Sequence, residues 1–274
     1  MAVWDKLGGL GNVEDRRGLG VGVLGGSVGV VGVIVALAFN YFGIAVDPSA
    51  VTGVLQQLDS SIASQQTDRQ PEEFQGNDSY ERFAATVLGS TDETWTDIFN
   101  QAGESYAKPK LVLFRQATQS ACGGAQSQFG PHYCPADQTI YLDETFFDEL
   151  KALGGSNDDV AQAYVIAHEV GHHVQNLEGA LSGRQSNAAS VSTELQADCY
   201  AGIWAYSVKQ LGIFEPGEVQ EAMSAAAAVG DDRLQQQAGQ RVNPESWTHG
   251  SSEQRVNAFT TGYETGDVSR CNFN

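Results

Sequence analysis

The alternation of apolar and polar positions divides the chain near residue 78. Upstream, Gly18–Val46 holds 29 positions without a charged residue, and "VGVVGVIVALAF" (Val28–Phe39) is close to continuously apolar. Roughly 20 apolar residues cross a bilayer as a helix, so this stretch reads as a transmembrane segment over 18–46. A flexible Gly-rich linker is the competing reading, but linkers are seldom this rich in Val, Ile and Leu. Residues 47–78 are rich in Gln, Ser, Asp and Thr and read as a polar tether. From Tyr80 onward the periodicity is mostly helical, with little strand.

The expected elements follow in order. "SYERFAATVLGSTDETWTDIFNQAG" suggests two helices, the second opening near Thr91. "KLVLF" (Lys110–Phe114) and "QTIYLD" (Gln138–Asp143) are strand candidates. "ETFFDELKALGG" is a short helix closing at Gly154 or Gly155. "NDDVAQAYVIAHEVGHHVQNLEG" is a long helix with Asn157 near its start and Gly179 past its end. A second long helix closes at Gly212, a third covers Val219–Val229, and Ser251 with Gln254 forms a capping box for the last. The expected class is mainly α with a small β element: a domain over 79–274 behind one N-terminal transmembrane helix.

Charge changes this picture in two ways. The net charge is −19, from 15 basic and 34 acidic residues, which argues against a nucleic-acid partner. Lys6, Arg16 and Arg17 precede the apolar stretch, and no Lys or Arg follows until Arg69. That asymmetry predicts a cytoplasmic N-terminus over 1–17, a single pass through the cell membrane, and an extracytoplasmic domain. "ALA" at Ala36–Ala38 offers a cleaved signal as the alternative. Gly18, Gly22 and Gly26, and Gly25 with Gly29, have the small-xxx-small spacing that lets helices pair, which leaves a homo-oligomer open.

The four cysteines include no CxxC pair, and an even number suits two disulfides in an exported domain. Cys122 and Cys134 flank a short Gly-rich loop and form the natural first pair; Cys199 and Cys271 are the second by elimination. Alternatively, Cys199 is a small buried residue on its helix.

Three of the five histidines lie in "AYVIAHEVGHHVQNL". His168 and His172 are four apart and share a helix face, the spacing at which two imidazoles grip one zinc ion. Glu169 lies where a general base for an attacking water belongs. Gly171 can let another element approach. In "ELQAD", Glu194 and Asp198 also share a face: Glu194 is the candidate third ligand, and Asp198 the acceptor that fixes a ligand imidazole. The stretch around them is poor in charge, so these carboxylates should face inward. Glu178, six residues after His172, is the rival third ligand of metzincin spacing, but Gln175 stands where such enzymes need a turning glycine. His173 points about a hundred degrees from His172 and reads as a packing histidine. His132 reads as a surface residue.

The blocks "GPHYCPADQTIYLDETFFDEL", "AYVIAHEVGHHVQNL", "SVSTELQADCYAGIWA" and "THGSSEQRV", in that order, resemble a family of neutral zinc metallopeptidases of bacterial envelopes, over about Tyr80 to Asn274. The resemblance implies a zincin-like domain with a gluzincin-like site holding one Zn²⁺. Its HExxH falls on His168, Glu169 and His172, and its ExxxD block on Glu194 and Asp198. Glu178 departs from the pattern, since an apolar residue is more usual there. In such enzymes a histidine from a later segment stabilises the oxyanion. His249 is the candidate, with a helix-entry role as its alternative, and Arg255 is a weaker candidate for the same work or for a salt bridge.

The expected function is a membrane-anchored zinc endopeptidase acting on a protein or peptide. Its rivals are a catalytically silent, zinc-stabilised envelope scaffold and a metal-free interaction protein. An extended peptide is expected to pair with the strand at Gln138–Asp143.

Overall fold

A computed structural model describes residues 2–17, 72–73, 78–127, 130–156, 158–181, 186–215 and 217–273. Strand β1 is Asn12–Asp15 and β2 Glu72–Glu73, followed by helix α1, Ser79–Ala102. Five strands come next: β3 Lys110–Phe114, β4 Ala117–Ser120, β5 Gly123–Gln126, β6 His132–Cys134 and β7 Thr139–Asp143. Among the described residues, six α-helices follow: α2 Phe146–Ala152, α3 Asp159–Leu177, α4 Asn187–Gln210, α5 Val219–Ala228, α6 Asp231–Gln237 and α7 Ser252–Thr265.

The main sheet runs β2-β1-β3-β7-β6. β1, β3 and β7 are parallel, and β2 and β6 border them antiparallel. "KLVLF" and "TIYLD" are apolar on both faces because both faces are covered. Leu111, Leu113, Ile140 and Leu142 face the helical core. Val112, Phe114 and Tyr141 face the other way, onto Ala125 of the β4–β5 hairpin and Cys134. β7 is therefore an interior strand. The edge available for an extended peptide is β6, not the Gln138–Asp143 strand.

Two disulfides form in the expected pairing. Cys122–Cys134 ties the hairpin turn to β6, and Cys199–Cys271 ties α4 to the C-terminal segment.

α3 lies in the middle of the molecule, against α1, α4 and α5, with β6 alongside. Gly171 permits this: a Cβ there would stand 3.0 Å from the Ala197 backbone of α4. α4 and α7 cross even closer, at Gly202 and Gly262, where a Cβ would lie 2.1 and 2.0 Å from backbone oxygens of Phe259 and Cys199. The capping box of Ser251 and Gln254 opens α7 as expected.

Three expectations need correction. The two helices expected on either side of Thr91 are one helix, α1. Gly89, just before the expected break, is the point where the backbone of Gly9 crosses: a Cβ on Gly89 would lie 2.5 Å from the Gly9 oxygen. Residues 231–237, to which no element was assigned, form α6. Residues 2–17, expected to stand apart from the domain, are built into it. β1 lies inside the sheet, and Trp4 stacks over Trp204 at 6.5 Å. The transmembrane segment, the tether, the glycine spacings and the "ALA" site lie mostly or wholly outside the described residues. Among those described, no helix is long and apolar enough to cross a membrane.

Candidate metal centre

α3 and α4 carry the centre between them. His168 Nε2 lies 3.3 Å from Glu194 Oε2, and His172 Nε2 lies 3.4 Å from Glu194 Oε1. The two imidazoles are nearly perpendicular, and one atom from each of the three residues lies within 4.8 Å of the others. The i, i+4 spacing aims both rings the same way, and the small contact at Gly171 brings α4 near enough for Glu194 to reach them.

Each ring is fixed from behind. His168 Nδ1 is 2.9 Å from Asp198 Oδ1. Asp198 is fully buried, and its carboxylate also takes two hydrogen bonds from Arg255, Nε at 2.8 Å and Nη2 at 2.9 Å, and one from the Tyr164 hydroxyl. A carboxylate only accepts, so His168 Nδ1 carries a proton and Nε2 is the nitrogen turned toward the centre. His172 Nδ1 is 2.9 Å from Gln175 Oε1. The amide nitrogen of Gln175 donates to Thr193 O and Gln196 Oε1 on α4, which turns its oxygen toward His172. Gln175 is thus the orienter of the second ligand. The sequence drew attention to it only as the residue in place of a metzincin glycine; the usable signal was a polar residue three positions after His172, on the same face.

Electrostatics bind these groups into one unit. Burial opposes charge on both imidazoles, but Asp198 and Glu194 overcome it and hold His168 and His172 above the ordinary imidazole range. Burial likewise opposes charge on Glu194, and the two imidazoles overcome it, holding the carboxyl well below the usual carboxylate range. A metal binding here displaces protons from the nitrogens.

The residues fit a zinc ion. Two imidazole nitrogens and one carboxylate oxygen are the donor set of a three-ligand zinc site. Glu169 is 6% exposed, and its Oε2 finds no hydrogen-bond partner among the described residues. A buried, orphaned carboxylate oxygen one residue from a ligand is a place for a polar group not drawn from the protein.

A cavity of about 520 Å³ opens onto the triad. Glu169, Tyr133, His249 and Arg255 line it, together with apolar side chains such as Phe146, Val165 and Val229. His249 is half exposed, and its Nδ1 is 3.3 Å from Asp231 Oδ1. Asp231 Oδ2 also accepts from the backbone nitrogens of Thr248, His249 and Gly250, so one carboxylate shapes the whole loop. Nothing in the sequence marks Asp231, because its partners lie 17 to 19 residues further along the chain.

Other candidates fall elsewhere. Arg255 is the partner of Asp198 in a buried ion pair, the salt-bridge alternative of its sequence reading. Glu178 receives the Tyr200 hydroxyl and takes no part in the triad. His173 is fully buried on the back of α3, between the Tyr133 hydroxyl and Ala107 O, and so pins β6 to the metal helix. His132 is not a free surface residue: it stacks on Tyr141 and lines the cavity.

Two histidines one helical turn apart with a carboxylate from a second helix define the class of HExxH-bearing zinc-site proteins. Within that class the chain belongs to the family described as "Putative neutral zinc metallopeptidase", whose model matches residues 2–273. It is similar to YpfJ of Escherichia coli K12, at 42% identity over 95% of this chain and 94% of that protein. It is also similar to Rv2575 of Mycobacterium tuberculosis H37Rv, at 48% identity over 66% of each. Both carry the name "uncharacterized protein". No solved structure matches the chain.

Proposed function

We propose that this protein is a zinc-dependent endopeptidase in which His168, His172 and Glu194 hold the metal and Glu169 is the general base. The observation that carries the reading is the orphaned Glu169 oxygen beside a three-donor cluster at the mouth of a cavity. Zinc bound there supplies Lewis acidity, polarising a peptide carbonyl and acidifying water.

The protein's own groups do the rest. Glu169 accepts a proton from the attacking water and returns it to the leaving nitrogen. His249, held by Asp231, donates a hydrogen bond to the carbonyl oxygen as negative charge builds on it. The free edge of β6 pairs with the extended substrate backbone, and the apolar cavity wall receives a side chain. The two disulfides favour an oxidising, extracytoplasmic compartment for the domain.

Metal analysis of the purified protein, paired with cleavage of an unstructured protein such as casein, tests this reading. It expects one zinc per chain, loss of cleavage on chelation, and recovery on adding zinc back. A chain that binds no zinc, or that cleaves equally well after chelation, refutes it.

A further inference from the structure

The N-terminal residues are paired with the domain's sheet and buried in its core. β1 pairs in parallel with β3 over four residues, Asn12 against Lys110 through Asp15 against Leu113. Its flanks are bonded too: Gly11 N donates to Ala85 O, and Arg16 N to Leu113 O. Val13 is 2% exposed and joins the main core, as do Ala2 and Leu7. Trp4 Nε1 donates to Asp159 Oδ2 at the start of the metal helix.

The basic residues that suggested a cytoplasmic anchor are used up within this arm. Arg16 pairs with Glu14, and Lys110 of β3 reaches the same carboxylate at 2.7 Å. Arg17, its side chain 9% exposed, pairs with Asp15, with Glu144 after β7, and with Asp78 at 3.4 Å. Lys6 donates to Gly212 O. Asp78 in turn caps α1. The end of the arm at Arg17 is therefore in contact with the start of α1 at Asp78, and β2, Glu72–Glu73, pairs with β1 beside them. The family match, beginning at residue 2, takes in the arm as well.

A single pass between Arg17 and Glu72 would put the arm and the domain on opposite sides of a membrane, where β1 can pair with neither β2 nor β3. The polar residues 47–71, with Asp47, Asp59, Asp68 and Arg69 among them, are unsuited to a return crossing. Cleavage after Ala38 would sever β1 from the chain that follows.

We propose that residues 2–17 are a structural arm of the metallopeptidase domain and share its compartment, so the chain meets a lipid bilayer from the domain's side alone. This does not depend on the peptidase reading.

The test uses the full-length chain in sealed membranes of each orientation. All four native cysteines are in disulfides, so single reporters can be added at Gly8→Cys and Glu264→Cys. Gly8 is exposed with nothing within 4 Å of a new Cβ, and Glu264 is exposed on α7. A membrane-impermeant maleimide should label both reporters in one orientation and neither in the other. Labelling of one reporter in each orientation overturns the proposal. Val13→Asp in the same chain should lower the melting temperature of the domain by several degrees; an unchanged melting temperature would mean that the arm is not part of the fold.

Discussion

Two aspartate–histidine pairs flank the same cavity and are built in opposite ways. Asp198 and His168 meet at 2.9 Å in the interior, and the carboxylate is saturated by Arg255 and Tyr164. Asp231 and His249 meet at 3.3 Å near solvent, and that carboxylate is occupied mainly with loop backbone. The inner pair is fixed because a metal ligand must not move. The outer pair can reorient, which suits a group that meets a substrate only as charge develops. Burial, more than residue type, separates a ligand's support from a substrate contact.

Breaking the inner pair should have the largest effect. Arg255→Ala takes the guanidinium partner from the buried Asp198 carboxylate and leaves it only His168 and Tyr164, at a cost of about 3–5 kcal/mol, read as a large fall in melting temperature. Asp198→Asn keeps the shape but removes the charge that supports His168, and zinc affinity should fall about 10–100-fold by chelator competition. Gln175→Leu tests the second ligand: it strands Thr193 O and Gln196 and unfixes His172, at about 1–3 kcal/mol of stability with a weaker zinc site. Asp231→Asn should be mildest for the fold. It should reduce peptide turnover while leaving zinc affinity unchanged, and the reverse pattern would assign Asp231 to the metal.

The difference between the pairs also sets a pH dependence. In the metal-free protein, Asp198 and Glu194 raise His168 and His172 against the effect of burial. Raised histidine values give stability that is complete below the unfolded imidazole value of about 6.5 and is lost as pH rises through the folded value. Melting of the chelated protein should therefore weaken above neutral pH relative to the zinc-loaded protein, whose nitrogens hold metal in place of protons.

The inner pair was legible in the sequence and the outer pair only half so, for a physical reason. Helical spacing alone places His168, His172, Glu194 and Asp198 on two faces, and sparse charge around "ELQAD" turns that face inward. Gln175 does its work through the neighbouring helix, and Asp231 through a loop 17 to 19 residues later, and no local periodicity reports such contacts. The N-terminal arm was misread because a count of basic residues takes no account of partners: Arg16 and Arg17 each have a carboxylate two positions earlier. β1 is also too short to declare itself without β3.

The central claim is that a metal held by His168, His172 and Glu194 works with Glu169 as base. Glu169→Gln tests it most directly, because it keeps the side chain's size and does not touch the three donors. Zinc content and peptide cleavage are measured on the same sample. The account predicts one zinc per chain, as in the wild type, with cleavage reduced at least a hundredfold, on the order of what a general base supplies. Wild-type cleavage by a zinc-loaded Glu169→Gln protein would contradict it.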